Sequence, residues 1–240
     1  MKRVQVYSLL IVMISILFSC KKENTEEPYK CTTCKTTPDA VAAHDASSKG
    51  IYKGVIVAST GTIVFDVQNG GTTITAKLTI DGTVVNLTAS QSWVSGQPYV
   101  SAFTGTLNGQ PVSINFSVGI SGNTPTVTSS NIPGHSNATF VIVKETSTNL
   151  IEAYEGTFTG TQKSGTLNLI LSKSSNSWYG AAKSNGSTTS NNFSGSLNGS
   201  SINGLGPSNT VVTGTLGNDI INGNFSDPSQ TGTWTAKRTL

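Results

Sequence analysis

The chain has 240 residues, 11% of them charged and 35% hydrophobic, with 34 Thr, 32 Ser, 20 Asn and 25 Gly. A mixture this rich in β-branched, hydroxyl and turn residues is poor in helix formers; it excludes a helical bundle and favours an all-β protein of one large or two small domains. Formal charge is +3, but from residue 20 onward 13 Lys and Arg face 12 Asp and Glu, so no basic stripe is left for nucleic acid and no acidic face for a basic partner.

Lys2 and Arg3 lead an apolar run from Val6 to Phe18, broken only by Tyr7, Ser8 and Ser15. Its length suits the core of a signal peptide and falls short of the roughly 20 residues that span a membrane. The run ends in Leu17-Phe18-Ser19-Cys20, which resembles the lipobox of bacterial lipoproteins, although Phe18 stands where that pattern prefers a small residue. The resemblance implies removal of residues 1–19 as a signal peptide, diacylglycerol on the Cys20 thiol, and acylation of the new amine. It further implies an outer-membrane lipid anchor facing the periplasm or the cell surface. Each buried methylene contributes about 0.8 kcal/mol, so several acyl chains on one cysteine hold a protein stably at a bilayer. Lys21 to Pro28 are polar and without periodicity, and residues 20–49 are expected to form a flexible tether. Within it Glu23, Glu26 and Glu27 resemble the acidic cluster that exports some lipoproteins to the outer leaflet, or else form a plain polar spacer.

Cys31 and Cys34 are spaced C-x-x-C. Outside the cytoplasm the simplest state for two such thiols is one local disulfide, of little value to stability because its loop is short. A c-type haem needs His after the second Cys, and Lys35 is there. A redox pair needs a helix N-terminus in a βαβ setting, and a zinc site needs about four ligands where only Asp39, His44 and Asp45 are near. No metal or other cofactor is therefore expected. Thr37-Pro38-Asp39 reads as a helix start, with a short helix through about Ser47 favoured by Ala40, Ala42, Ala43 and Ala46.

The remainder is an internal repeat. Tyr52-Lys53-Gly54 answers Tyr154-Glu155-Gly156, Gly61 to Phe65 answers Gly165 to Leu169, and Thr139 to Lys144 answers Thr233 to Arg238. Phe103-Thr104-Gly105-Thr106-Leu107-Asn108-Gly109 matches Phe193-Ser194-Gly195-Ser196-Leu197-Asn198-Gly199 most closely. One unit runs over 50–147 and the other over 152–240, with an extra stretch in the first. Each breaks into about eight segments with period-2 alternation, apolar on one side and hydroxyl on the other. Asn108-Gly109, Asp81-Gly82 and Asn198-Gly199 mark hairpin turns, so the strands form a meander. Glycines inside strands, such as Gly105, Gly156, Gly195, Gly214 and Gly223, permit the coiling of a closed sheet. The expected fold is two tandem eight-stranded up-and-down meander barrels, similar in architecture alone to lipocalins and avidins; a pair of β-sandwiches is the alternative.

From residue 50 onward there are eight Lys and Arg, seven Asp and Glu, and one His. Acid-base catalysis needs titratable groups that converge, and few remain, so a non-catalytic module is expected and a hydrolase of envelope polymers is the remotest reading. Asp66 is expected to face solvent, and Glu145, Glu152 and Glu155 to form a solvated connector. The extra stretch in the first unit carries Trp93 and Tyr99 around Gly96 and Pro98. Such a pair anchors sugars or protein partners when a loop presents it, which makes Trp93 and Tyr99 the candidate ligand-binding residues. The other reading of Trp93 is that it fills one end of its own barrel. Expected partners are the membrane, through the lipid anchor, and a glycan, peptide or protein of the envelope; the alternative is a small apolar ligand carried inside a barrel.

Overall fold

The computed structural model describes residues 28–57 and 59–240. The expected signal peptide and the lipidated Cys20 lie outside the described residues. The first sheet contains β1 (Gly50–Val57), β2 (Gly61–Val67), β3 (Ile74–Ile80), β4 (Thr83–Ala89), β5 (Tyr99–Leu107), β6 (Gln110–Val118), β7 (Thr126–Asn131) and β8 (Thr139–Lys144). The second contains β9 (Ile151–Gly160), β10 (Ser164–Ser172), β11 (Ser177–Ser184), β12 (Asn191–Asn198), β13 (Ser201–Leu205), β14 (Val211–Gly217), β15 (Ile220–Ser226) and β16 (Thr231–Arg238).

Each sheet is an antiparallel meander whose last strand returns to its first, β8 beside β1 and β16 beside β9. The second closes fully. The first stops one ladder short, between β7 and β8. There β7 slips register against β6 at Asn115/Phe116, and Ile132 in the following loop turns into the core. A bulge of this kind bends a strand away from a neighbour it would otherwise pair with. The architecture is two tandem meander barrels, one closed and one nearly so, and not a pair of sandwiches.

The tight turns follow backbone chemistry. Asp81-Gly82 and Asn108-Gly109 both have positive φ at their two central residues, the geometry a two-residue hairpin needs. At the matching position Asn198 still belongs to β12 and the turn falls on Gly199 and Ser200. The close likeness between Phe103–Gly109 and Phe193–Gly199 therefore joins the fifth strand of one unit to the fourth of the other. It reflects shared hairpin chemistry, while the strand-for-strand equivalences hold at β1 and β9, β2 and β10, and β8 and β16.

The barrels share a wall. Val55 of β1 packs with Ile151, Ala153 and Ile170 of β9 and β10, flanked by Val141 and Val143 of β8. All eight residues of β1 are buried because one face looks into its own barrel and the other onto the neighbour. The unbroken run Leu169-Ile170-Leu171 has the same cause, since a strand buried on both faces loses its alternation. Asn168 lies in this wall, 1% exposed. Its Nδ2 donates to Ile56 O at 2.5 Å and Ser59 O at 3.1 Å, and its Oδ1 accepts from Gly156 N at 3.0 Å. Asn168→Ala leaves these groups buried without partners, and the midpoint of urea unfolding is expected to fall by the equivalent of about 1–3 kcal/mol.

The segment expected as a tether and helix is, from Tyr29 to Lys49, a strap laid across both barrels. Tyr29 Oη donates to Arg238 O at 2.5 Å, Cys31 N to Asp219 Oδ2 at 3.1 Å, and Val41 N to Asn69 Oδ1 at 3.0 Å. Helix survives only as the 3-10 turn Ala42–His44, because the backbone groups of this stretch are taken by barrel side chains. Cys31 and Cys34 are joined, with Cα atoms 5.4 Å apart. Where the strap ends, Asp45 accepts from Ser147 N at 2.8 Å and Ser147 Oγ at 2.7 Å.

Candidate functional site

The first barrel is filled by Tyr52, Phe65, Phe103 and Phe116, with Phe65 stacked on Phe116 at 4.2 Å between centroids and Phe103 edge-on to Phe65 at 4.9 Å. The second is filled by two tryptophans laid across glycines. Trp178 of β11 lies over Gly195 of β12 and Gly204 of β13, and its Nε1 donates to Asn203 O at 3.1 Å. Trp234 of β16 lies over Gly223 of β15 and Gly214 of β14, and its Nε1 donates to Thr213 O at 3.0 Å. At Gly204 and Gly214 the indole is what a side chain would meet first, whereas at Gly195 and Gly223 the backbone carbonyl of Asn203 or Thr213 stands closer still. At one mouth of this barrel a cavity of about 60 Å³ remains, over Phe158, Leu167, Phe193, Val212 and Phe225. That is room for a few water molecules.

The two aromatic residues singled out in the first unit do not form an exposed pair. Tyr99 is 2% exposed, edge-on to Phe103, with its hydroxyl donating to Gln91 O at 3.0 Å. Trp93 is half-buried against the core of its own barrel; its Nε1 donates to Ser48 Oγ at 2.8 Å and Lys49 Nζ sits 4.2 Å above its ring. Trp93 thus plugs a barrel end beneath the strap, and Tyr99 is a core residue.

The outer wall of the second barrel carries a depression lined by no ionisable side chain. On β9, β16 and β15 the outward residues pair in two rows: Thr157 with Thr235 and Asn222, and Thr159 with Thr233 and Asn224. Between the rows the inward residues include Gly223, which leaves no side chain, and Trp234, whose indole lies below. The result is a trough of about 390 Å³ with walls of Thr and Asn and a floor of Gly223 and Trp234. Both rows continue over β14, β13 and β12, one as Thr215, Ser201 and Asn198, the other as Thr213, Asn203 and Ser196. None of these twelve side chains is ionisable.

The charged residues go elsewhere. Glu145 is fully buried; it pairs with Lys53 Nζ at 2.6 Å and accepts from Asp39 N at 2.6 Å and Ile151 N at 3.1 Å. Glu152, 2% exposed, pairs with Arg238 at 3.1 Å and Lys173 at 2.9 Å and accepts from the Tyr154 hydroxyl at 2.9 Å. The solvated connector expected of Glu145, Glu152 and Glu155 is instead a structural joint, because the strap and both barrels converge there and exclude water. Burial raises the Glu155 carboxyl above the usual glutamate range, with Thr239 Oγ1 donating to it at 2.7 Å partly offsetting. Its folded pKa is raised, so its stabilising contribution is present at low pH and is lost as pH rises through the folded value. Glu155→Gln is expected to flatten this dependence, visible as urea midpoints that fall less between about pH 4 and about pH 7 than in the parent. Asp66 is half-exposed and accepts from Asn69 N at 2.9 Å, capping its own turn.

One constellation has the bonding order of a nucleophile, base and carboxylate. Ser59 Oγ lies 2.5 Å from His135 Nδ1, and His135 Nε2 lies 3.4 Å from Asp81 Oδ2. Ser59 is only 9% exposed, and Thr60 Oγ1 also donates to Asp81 Oδ1 at 3.1 Å, so the chain of contacts pins three loops at one end of the first barrel. Sequence reading missed it because the three residues are separated by 22 and 54 positions and no local spacing links them. No group of His, Cys, Asp and Glu that could hold a metal ion occurs among the described residues.

A comparison with known protein families, with curated proteins and with solved structures finds no significant match.

Proposed function

We propose that this chain is a lipid-anchored, non-catalytic binding module of the outer membrane, held through Cys20 and presenting the outer wall of its second barrel to a component of the envelope. The observation that carries this reading is the trough on β9, β16 and β15, whose walls are uncharged hydrogen-bonding side chains. Packed interiors support recognition from outside in preference to a ligand carried within, since the second barrel leaves about 60 Å³ at its mouth. A non-catalytic role is supported by the commitment of the buried carboxylates to ion pairs and of Ser59 to a loop clamp. Under this reading a fluorophosphonate probe leaves Ser59 unlabelled, and labelling lost on His135→Ala would contradict it.

The anchor is tested by growing cells with an alkyne fatty acid: the chain is expected to acquire label, and Cys20→Ser to lose it. The binding role is tested by sedimenting the detergent-solubilised full chain with isolated envelope fragments. The chain is expected in the pellet, Asn222→Asp with Asn224→Asp to leave it there less, and Thr88→Asp on the first barrel to have no effect. Failure to pellet, or pelleting indifferent to the trough, overturns the proposal.

A further inference from the structure

We infer that the occupant of the trough is a linear, uncharged polysaccharide lying across the strands between the two rows of Thr and Asn. The inference rests on the proposed binding role and names the chemistry of its partner.

The first argument is charge. The walls offer hydroxyl and amide groups and no ionisable side chain over two rows crossing six strands; Glu155 and Lys237 begin only one row further on. A charged polymer seated there would shed water without meeting a counter-charge, which is unfavourable, whereas a neutral polyol exchanges water bonds for bonds of the same kind. Asn222 and Asn224 each offer two donors and an acceptor, and each Thr a donor and two acceptors, a set matched by vicinal hydroxyls.

The second argument separates a glycan from a peptide. Peptides that bind sheets by their main chain add to an open edge, and this barrel is closed, so no edge is offered. Protein partners are held by buried aromatic or arginine anchors, and the trough walls have neither; the Trp234 indole under its floor is 3% exposed and already bonded to Thr213 O. A chain with hydroxyls at every unit can instead be held by hydrogen bonds from the Thr and Asn side chains of both rows.

The third argument is shape. Across β9, β16 and β15, at about 4.8 Å between strands, the two rows run side by side for roughly 10 Å before the closed barrel curves them away, and each repeats hydroxyl or amide groups at every strand. A repeating surface suits a repeating ligand and gains little from a single sugar.

The test is native gel electrophoresis of the detergent-solubilised full chain through gels containing an unbranched β-glucan, an α-mannan or polygalacturonate, with unfolding midpoints confirming that each variant is folded. Retardation by at least one of the two neutral polymers is expected, with none by polygalacturonate. Asn222→Ala with Asn224→Ala is expected to weaken the neutral-chain affinity about tenfold or more, and Thr88→Ala on the first barrel to leave it unchanged. Three results overturn the inference: no retardation by either neutral polymer, equal retardation by the acidic one, or retardation indifferent to the trough. Self-association of the chain through this wall, lost in the same Asn variants, also overturns it. Should envelope fragments still pellet the chain in a trough-dependent way while both neutral polymers fail, the partner class is wrong and the binding role stands.

Discussion

Glu145→Ala is expected to destabilise the protein by about 3–5 kcal/mol, because it strands Lys53 as an unpaired buried cation. The Lys53 side chain is 3% exposed and that of Glu145 is fully buried, 2.6 Å away. The carboxylate also takes the backbone N–H groups of Asp39 and Ile151, so one side chain joins the strap, the first barrel and the first residue of β9. Asp39 Oδ2, 3.6 Å from Lys53 Nζ and 30% exposed, offers a weaker substitute and sets the lower end of that range. If the pair is costly mainly when broken, Glu145→Gln combined with Lys53→Met should cost far less than the two changes summed. Urea unfolding of the four proteins reads this directly, and an additive result would remove the pair as a cause.

The tryptophan layers of the second barrel give the other large effect. Trp178→Ala removes the largest fully buried side chain and is expected to cost about 3–5 kcal/mol. The glycines beneath the indoles allow a sharper test. A Cβ at Gly214 would stand 2.8 Å from Trp234 Cζ2 and 3.2 Å from the nearest backbone atom, so its clash is chiefly with the indole. Gly214→Ala is thus expected to cost about 1–3 kcal/mol alone and much less in a Trp234→Leu background. Gly195 differs: an added Cβ would meet Trp178 Nε1 at 2.6 Å, and would meet the Asn203 carbonyl oxygen more closely still. Trimming Trp178 should therefore not rescue Gly195→Ala. Equal rescue at both glycines would show that the indoles alone set these positions, and rescue at neither would show that backbone spacing does.

Much of the fold was legible because strand periodicity and turn chemistry are local. Leu167, Leu169 and Leu171 do face inward, and Asp81-Gly82 and Asn108-Gly109 do turn the chain. What no local pattern carries is which outer face meets a neighbour. Ile170 and Asn168 occupy outward positions, yet the docking of one barrel on the other buries both. The strap was illegible for the same reason, since Tyr29, Cys31 and Val41 are fixed by groups far along the chain. Trp93 and Tyr99 drew attention through their loop, but the direction of each ring is set by Ser48 and Phe103, which the sequence does not place beside them. The trough was half visible: the hydroxyl face of each strand could be read, while the alignment of Thr157, Thr235 and Asn222 into one row depends on register between strands.

The most direct measurement is a methyl-resolved NMR titration of the threonine-labelled, detergent-solubilised full chain with a soluble neutral polysaccharide that retards it in gels. Dose-dependent shifts at Thr157, Thr159, Thr233 and Thr235, with Thr88 and Thr104 of the first barrel unmoved, are the expected outcome. Shifts confined to the first barrel, or none at the four trough threonines at saturating ligand, would contradict recognition through the outer wall of the second barrel.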